Sequence, residues 1–268
     1  VIKTLVIGVA GRMGKTIVSC LEDTDGVELC GGTEAPASSN IGKDAGELAG
    51  VGKKNIIIDS DLDKLVASCD AIIDFTTPES TMTTLEYAVK HNKALIIGTT
   101  GLNSDQKQKL KEKSSNIRCV FAPNMSIGVN VLFKTVKDLA KTMGDAYDVE
   151  IVEAHHKFKK DAPSGTAVRL SEIAAEALER NLETDGVYGR KGMSPGRGPK
   201  EIGIHTVRAG DIVGEHRVMF GGMGETLEIS HRAQSRDTFA RGSIAAAKWV
   251  VNQSPGLYDM QDVLGLTN

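Results

Sequence analysis

Two histidines and three lysines crowd one short stretch of this chain, Glu150-Ile151-Val152-Glu153-Ala154-His155-His156-Lys157-Phe158-Lys159-Lys160-Asp161-Ala162-Pro163-Ser164-Gly165-Thr166-Ala167. Imidazole and ammonium groups bind carboxylates and donate protons at neutral pH. The Pro-Ser-Gly-Thr run that follows reads as a helix start. Ser164 is a candidate N-cap, and the backbone N–H groups of Gly165 and Thr166 would make an anion site suited to a carboxylate. A lone surface Lys or His is solvated by default, and Lys157 and Lys160 are read that way. A cluster running directly into a capped, glycine-opened helix points instead to chemistry. His91, His205, His216 and His231 sit in no motif and receive no role. The four cysteines (Cys20, Cys30, Cys69, Cys119) are scattered without C-x-x-C spacing, so they read as inert core thiols in a reducing compartment, and no metal site is expected.

A second chemical signal lies near the start. Val6-Ile7-Gly8-Val9-Ala10-Gly11-Arg12-Met13-Gly14 has the pattern G-x-x-G-x-x-G between an aliphatic run and a helix-like stretch. Glycine permits a tight turn and close backbone approach to a pyrophosphate, which the helix N-terminus then faces. Glu34 closes the next aliphatic run, about twenty residues on, where an acid receives the adenine ribose hydroxyls of a dinucleotide. A tight turn without a ligand is the bland alternative. Arg12 suits either a phosphate or adenine contact or a solvated helix start. Glu34 favours NADH, because a carboxylate repels the 2′-phosphate of NADPH; Ala35 offers no compensating charge, whereas Arg12 and Lys43 can.

These groups need a frame. From residue 2 to about 144, aliphatic runs at 4–7, 27–30, 56–58, 71–75, 94–97 and 118–121 alternate with amphipathic stretches such as 79–91 and 104–114. Each run is the length of a strand buried on both faces, so the pattern predicts a doubly wound parallel sheet with helices on both sides. Ligands bind at the carboxyl ends of such strands. Three of those ends are small or polar: Asp74-Phe75-Thr76-Thr77-Pro78, Gly98-Thr99-Thr100-Gly101 and Ala122-Pro123-Asn124-Met125-Ser126. Together they are expected to line a nicotinamide pocket, although any one alone is an ordinary turn.

After residue 144 the character changes. Residues 149–155 read as a strand, 164–180 as a helix, and 188–200 as a mobile loop rich in Gly, Pro and positive charge. Strands at 201–208, 212–220 and 225–232 follow with connections too short for parallel crossovers, so part of this sheet is antiparallel. A helix over 237–251 is expected to return to the first domain. The domains are thus 1–126 plus 236–268, for dinucleotide, and 127–235, for substrate.

Across 268 residues, 32 basic and 35 acidic side chains give a formal charge of −3, which gives no reason to expect nucleic acid or an anionic membrane as partner. No apolar run approaches the roughly 20 residues of a membrane helix. Val1 leads straight into a strand with no signal-peptide layout, so the expected location is cytoplasmic.

The stretch from Glu150 to Ala167 resembles the 4-hydroxy-tetrahydrodipicolinate (dihydrodipicolinate) reductase family, matching E-[I/V]-x-E-x-H-x-x-x-K-x-D-x-P-S-G-T-A throughout. GVAGRMG, DFTTPE, IGTTG, NMSIGVN and RAGDIVGEH are similar to the family too, so the likeness runs from about Thr4 to Leu264. It implies a Rossmann-like N-terminal domain, an α+β substrate domain of mixed sheet, and a homotetramer built through that sheet. The implied reaction is hydride transfer from NADH or NADPH to a small cyclic dicarboxylate in lysine biosynthesis. His155 and Lys159 match the acid pair, either protonating the carbon next to the hydride acceptor. His156, Lys159, Gly165 and Thr166 match the substrate-carboxylate binders. Many members carry a basic residue where Ala35 stands, and that departure weakens the case for NADPH. Two rivals differ: sugar dehydrogenases of the same layout usually carry an E-K-P segment, absent here, and a nucleotide sensor needs no acid pair.

Overall fold

The computed structural model describes residues 1–193 and 196–267. In chain order the elements are β1 (Ile2–Ile7), α1 (Arg12–Glu22), β2 (Val27–Thr33), α2 (Ala45–Ala49), α3 (Leu62–Ala67), β3 (Ala71–Asp74), α4 (Pro78–Lys90), β4 (Ala94–Ile97), α5 (Ser104–Ser114) and β5 (Arg118–Phe121). Then come α6 (Ile127–Met143), β6 (Asp148–His155), α7 (Gly165–Ala177), α8 (Leu182–Asp185), β7 (Gly186–Tyr188), β8 (Ile202–Arg208), β9 (Gly214–Gly222) and β10 (Glu225–Ala233). The chain closes with α9 (Asp237–Val250), β11 (Gly256–Tyr258) and α10 (Met260–Val263). It divides into two compact units, Val1–Ile127 with Arg236–Asn268, and Gly128–Ser235.

The first unit is a six-stranded sheet in the order β11-β5-β4-β3-β1-β2, all its pairs parallel. The order reverses at β1, with β2 on one side and β3 on the other, and that switch point is where a doubly wound sheet opens a crevice. Alternate strand residues serve opposite faces. Val6, Ile73, Ile96 and Val120 pack with Ile17, Val18 and Leu21 of α1 and Ala240, Ile244 and Ala247 of α9. Leu5, Ile7, Ile72, Leu95 and Ile97 pack with Leu85 and Ala88 of α4 and Leu110 of α5. Burial on both sides is why these strands read as continuous aliphatic runs.

Residues 56–58 do not join this sheet as a strand. Of the three, Ile57 makes an isolated bridge to Asp44, Ile56 and Ile58 share backbone hydrogen bonds with residues 42–45, and the buried Asp44 carboxylate takes up the N–H groups of Glu47, Lys54 and Ile56. β11, which the sequence pattern did not single out, fills the outer edge beside β5.

The second unit is a mixed sheet, β10-β9-β6-β8-β7. β6 runs antiparallel to β9 and parallel to β8, and β9 and β10 form an antiparallel hairpin. Val129, Leu132, Phe133 and Val136 of α6 and Leu170, Ile173 and Ala174 of α7 cover one face, against Val149, Ile151, Ile202, Ile204, Val218 and Phe220. α7 stops short of the expected residue 180 because Glu179 takes a left-handed backbone conformation, φ 52°.

The expected mobile loop over 188–200 is anchored at two of its arginines, Arg190 and Arg197. Arg190 donates to Glu150 (3.0 and 2.8 Å) and Glu201 (2.9 Å), and Arg197 to Glu150 (3.0 Å) and Asp148 (2.7 Å). Residues 194 and 195 of that loop lie outside the described residues. Among the described residues no helix is long and apolar enough to cross a membrane.

Candidate active site

In the first unit, the turn after β1 does what its glycines allow. Gly8 adopts φ +66° and its carbonyl receives the Gly11 N–H at 2.9 Å. A Cβ on Gly14 would stand 2.3 Å from the Gly8 carbonyl oxygen, so any side chain there would push the turn open. Gly11 is the N-cap of α1, and no side chain among the described residues caps that end, which leaves the first-turn N–H groups of Arg12, Met13 and Gly14 facing outward. Arg12 is exposed and Met13 half-buried. Glu34, just past β2, accepts the Ala10 N–H at 2.8 Å through Oε1 and thereby ties the end of β2 to the turn.

The neighbouring strand ends belong to one network. Asp74, at the end of β3, is wholly buried; Oδ1 accepts the Thr76 N–H (2.9 Å) and hydroxyl (2.6 Å), and Oδ2 has no hydrogen-bond partner among the described residues. Burial pushes its carboxyl above the ordinary range, against the hydrogen bonds from Thr76. Thr99 is buried and shares a 2.8 Å hydrogen bond with Thr81, so its hydroxyl braces the interior while Thr100 is exposed. Phe75 packs against Gly98, where a Cβ would meet its ring at 2.2 Å. Of the third loop, Ala122 and Met125 are buried, Pro123 is exposed, and Asn124 accepts the Ser126 N–H at 2.9 Å.

The switch point thus unites Gly8 with Thr76, whose methyl would be 2.8 Å from a Cβ on Gly8. A turn that only glycine fits, an uncapped helix start and an acid at the end of β2 fit the phosphates and ribose of a dinucleotide.

In the second unit, period-two alternation puts Glu153 and His155 on the same, inward face of β6. Glu153 has no exposed surface. It accepts from His155 Nδ1 (2.5 Å), the Ser164 N–H (3.0 Å), both terminal nitrogens of Arg208 (2.8 Å each) and the Thr206 hydroxyl (3.2 Å). Burial pushes its carboxyl up, but the Arg208, His155 and Ser164 hydrogen bonds outweigh it and hold the group at about 2. Burial lowers His155, and the Glu153 carboxylate partly offsets that fall.

Ser164 caps α7 by accepting the Ala167 N–H at 3.2 Å, and its hydroxyl also shares a 3.0 Å hydrogen bond with His216 Nε2. Burial, then repulsion from His155, hold His216 down at about 3, so its ring is neutral. It meets His155 edge-on, with ring centroids 5.2 Å apart.

Lys159 is half-buried and paired with Asp161 at 2.8 Å. His156 Nδ1 is buried without a hydrogen-bond partner among the described residues. Gly165 is exposed and Thr166 half-buried at the start of α7. The structure therefore brings His155 and Ser164 onto one carboxylate, with Lys159 close enough to depress the imidazole further. Glu153, Arg208 and His216 are the members that sequence reasoning passed over. Glu153 carried a signal in its i, i+2 spacing from His155, whereas Arg208 and His216 are lone residues 55 and 52 positions from their partners.

A dinucleotide-type turn in one unit and a proton-handling, anion-facing helix start in the other define the class: a pyridine-nucleotide-dependent oxidoreductase of two α/β units. Models of the dihydrodipicolinate reductase N-terminus and C-terminus match residues 2–125 and 128–264. The 4-hydroxy-tetrahydrodipicolinate reductase of Syntrophus aciditrophicus (strain SB) is 54% identical over 98% of both chains. That of Hahella chejuensis (strain KCTC 2396) is 53% identical over 97% of this chain and 98% of its own. The chain belongs to the dihydrodipicolinate reductase family. Its fold is shared with the dipicolinate-bound dihydrodipicolinate reductase of Paenisporosarcina sp. TG-14, at 24% identity and TM-score 0.76 over 97% of this chain and 98% of that one. An amine dehydrogenase from Mycobacterium smegmatis shares it more distantly, at 12% identity and TM-score 0.60 over 96% and 94%.

Proposed function

We propose that this chain reduces 4-hydroxy-tetrahydrodipicolinate to tetrahydrodipicolinate, in diaminopimelate and lysine biosynthesis, with NADH used well. The observation that carries this reading is the meeting of His155, Lys159 and the α7 start at the end of β6. When bound, the reduced nicotinamide supplies the hydride. Gly8, Gly11, Arg12, Met13 and Gly14 hold the phosphates, Glu34 the adenine ribose, and Phe75, Thr76, Gly98, Thr99, Thr100 and residues 122–125 shape the nicotinamide end. Ala35 leaves Glu34 without a compensating neighbour, which is the reason for good use of NADH.

The second unit is assigned to the substrate. His156, Lys159, Ser164, Gly165 and Thr166 bind its carboxylates: an ammonium, a half-buried imidazole whose Nδ1 has no partner among the described residues, and a helix start that favours negative charge. Addition of hydride to an unsaturated ring places negative charge on the adjacent carbon. Lys159 or His155 stabilises that charge and delivers the proton, typically contributing about 10²–10⁴-fold. The uncovered face of the mixed sheet supports a homotetramer built through it, since Val207, opposite Ala154 on that face, stands 43% exposed. A cytoplasmic location fits the scattered free thiols.

The test is cofactor oxidation, followed by absorbance, while the upstream synthase generates the substrate in situ from pyruvate and aspartate semialdehyde. Oxidation that depends on substrate, is blocked by 2,6-pyridinedicarboxylate and runs faster with NADH is the expected result. Cofactor binding without oxidation would overturn the assignment.

A further inference from the structure

One buried carboxylate stands behind both halves of the substrate site. Glu153 receives five hydrogen bonds, and only two come from a permanently charged partner, Arg208. The other three come from the His155 ring, the backbone N–H of the α7 N-cap Ser164, and the Thr206 hydroxyl. The registers of three strands build this arrangement. Across from β6, the parallel β8 sets Thr206 beside Glu153 and Arg208 beside His155, while the antiparallel β9 sets His216 beside Glu153. Arg208 then reaches back diagonally, closing both its nitrogens on Glu153, and also donates to the Asp161 carbonyl at 2.6 Å.

We infer that Glu153, locked by Arg208, is the positioning residue of the site: it fixes the His155 ring and the α7 start to one another, so that Nε2 carries the exchangeable proton. This inference rests on the reductase reading. A carboxylate that accepts only from Nδ1–H selects one neutral tautomer, in which Nε2 bears the lone pair. Imidazolium that releases its proton from Nε2 arrives at that same tautomer without moving. The other side of the ring supports the assignment. Nε2 faces the bare backbone of Gly214, where a Cβ would stand 3.0 Å from it, so β9 leaves room at the nitrogen the carboxylate does not hold. Glu153 and Arg208, with Lys159 from the loop and His216 from β9, are the titratable or charged groups acting on this ring; His231 acts on His216. All but Glu153 oppose its protonation.

Three preparations of the full chain test this: wild type, Glu153→Gln and Gly214→Ala. Histidine labelled with ¹⁵N reports the tautomer by NMR without turnover. Wild type should show a protonated Nδ1 at His155, and Glu153→Gln should lose it, because the amide now donates to that nitrogen. Under the in-situ assay, Glu153→Gln should lower kcat about 10²-fold or more, with the KM for NADH within about twofold. The limb of the kcat/KM profile belonging to His155 should move about one pH unit to the acid side, the scale of losing one nearby carboxylate. Gly214→Ala keeps the carboxylate and should lower kcat with the Nδ1 signal intact. If both variants keep wild-type kcat and pH profile, Glu153 is a structural ion-pair partner and the inference falls. Should Glu153→Gln not fold, unchanged turnover in Gly214→Ala overturns it alone. Failure of wild type to oxidise cofactor would strike the reductase reading instead, with the NMR tautomer test still deciding how His155 is held.

Discussion

Replacing Ser164 by alanine removes one oxygen that serves two buried partners, and the cost follows from both. Its hydroxyl accepts the Ala167 N–H and shares a hydrogen bond with His216, at a position only 2% exposed. Loss of a serine N-cap costs about 1 kcal/mol. Leaving His216 Nε2 buried without its partner adds about 1–3 kcal/mol, since its Nδ1 already has no partner among the described residues. Ser164→Ala should therefore destabilise the second unit by about 2–4 kcal/mol. A second substitution separates the two parts. His216→Met removes the stranded nitrogen with little change in volume, so the double variant should be more stable than the two single losses added together, by at least about 1 kcal/mol. The single tryptophan, Trp249, lies in α9 of the other unit and is the wrong reporter. Urea unfolding followed by far-ultraviolet dichroism, with hydrogen exchange of the α7 amides, reads the right one. A Ser164→Ala loss below about 0.5 kcal/mol, or strict additivity with His216→Met, would refute the reasoning.

Three further outcomes are expected. Gly14→Ala places a Cβ 2.3 Å from the Gly8 carbonyl oxygen; at an overpacking cost of about 1–3 kcal/mol the KM for the dinucleotide should rise roughly 5- to 150-fold, while inhibition by 2,6-pyridinedicarboxylate is retained, and an unchanged KM would contradict the turn's assignment. Lys159→Ala should lower kcat about 10²–10⁴-fold and leave the dinucleotide Kd unmoved, as measured by titration of cofactor fluorescence; near-normal turnover rejects its role. His216 is held at about 3 against an ordinary 6.5, so the unfolded chain binds a proton that the folded one refuses. Stability should then be full above about pH 6.5 and fall as pH drops from there toward 3, His155 and His231 adding in the same direction. Glu150 and Glu153, at about 2 against 4.5, extend the loss below pH 4.5. Urea midpoints across this range should be less steep for His216→Met by about one proton, and a flat wild-type curve between about pH 7 and 5 would count against the neutral ring.

Local patterning made much of this molecule legible in its residues. The glycine turn, the aliphatic runs of β1, β3, β4 and β5, and the Ser164 cap depend on neighbours a few positions apart, and short-range sterics and burial specify them. Residues 56–58 mimic a strand in composition, yet a buried Asp44 claims a backbone donor there that a ladder would need. The loop after β7 looks mobile from its glycines and prolines, and Glu150 and Asp148, some forty to fifty positions away, show why Arg190 and Arg197 hold it. Arg208 and His216 have the same explanation: strand register brings them to Glu153 and Ser164, and register is a property of the paired sheet.

The first unit is assembled from two stretches of chain, and α9 supplies Ala240, Ile244 and Ala247 to its core. On a ribosome, which releases residues in order at about 5–20 per second, residues 1–127 emerge long before α9, which with α1 covers one side of their sheet. The middle of the chain, by contrast, owns every strand of its sheet once Ser235 has emerged. Maturation therefore runs out of sequence order: the domain synthesised second is the first able to finish, and the nascent N-terminal sheet must wait with Val6, Ile73 and Ile96 awaiting cover. A gene fragment ending near residue 127 encodes a sheet with a missing lid and a missing edge strand, a natural client for a chaperone and a poor choice for dissecting the enzyme.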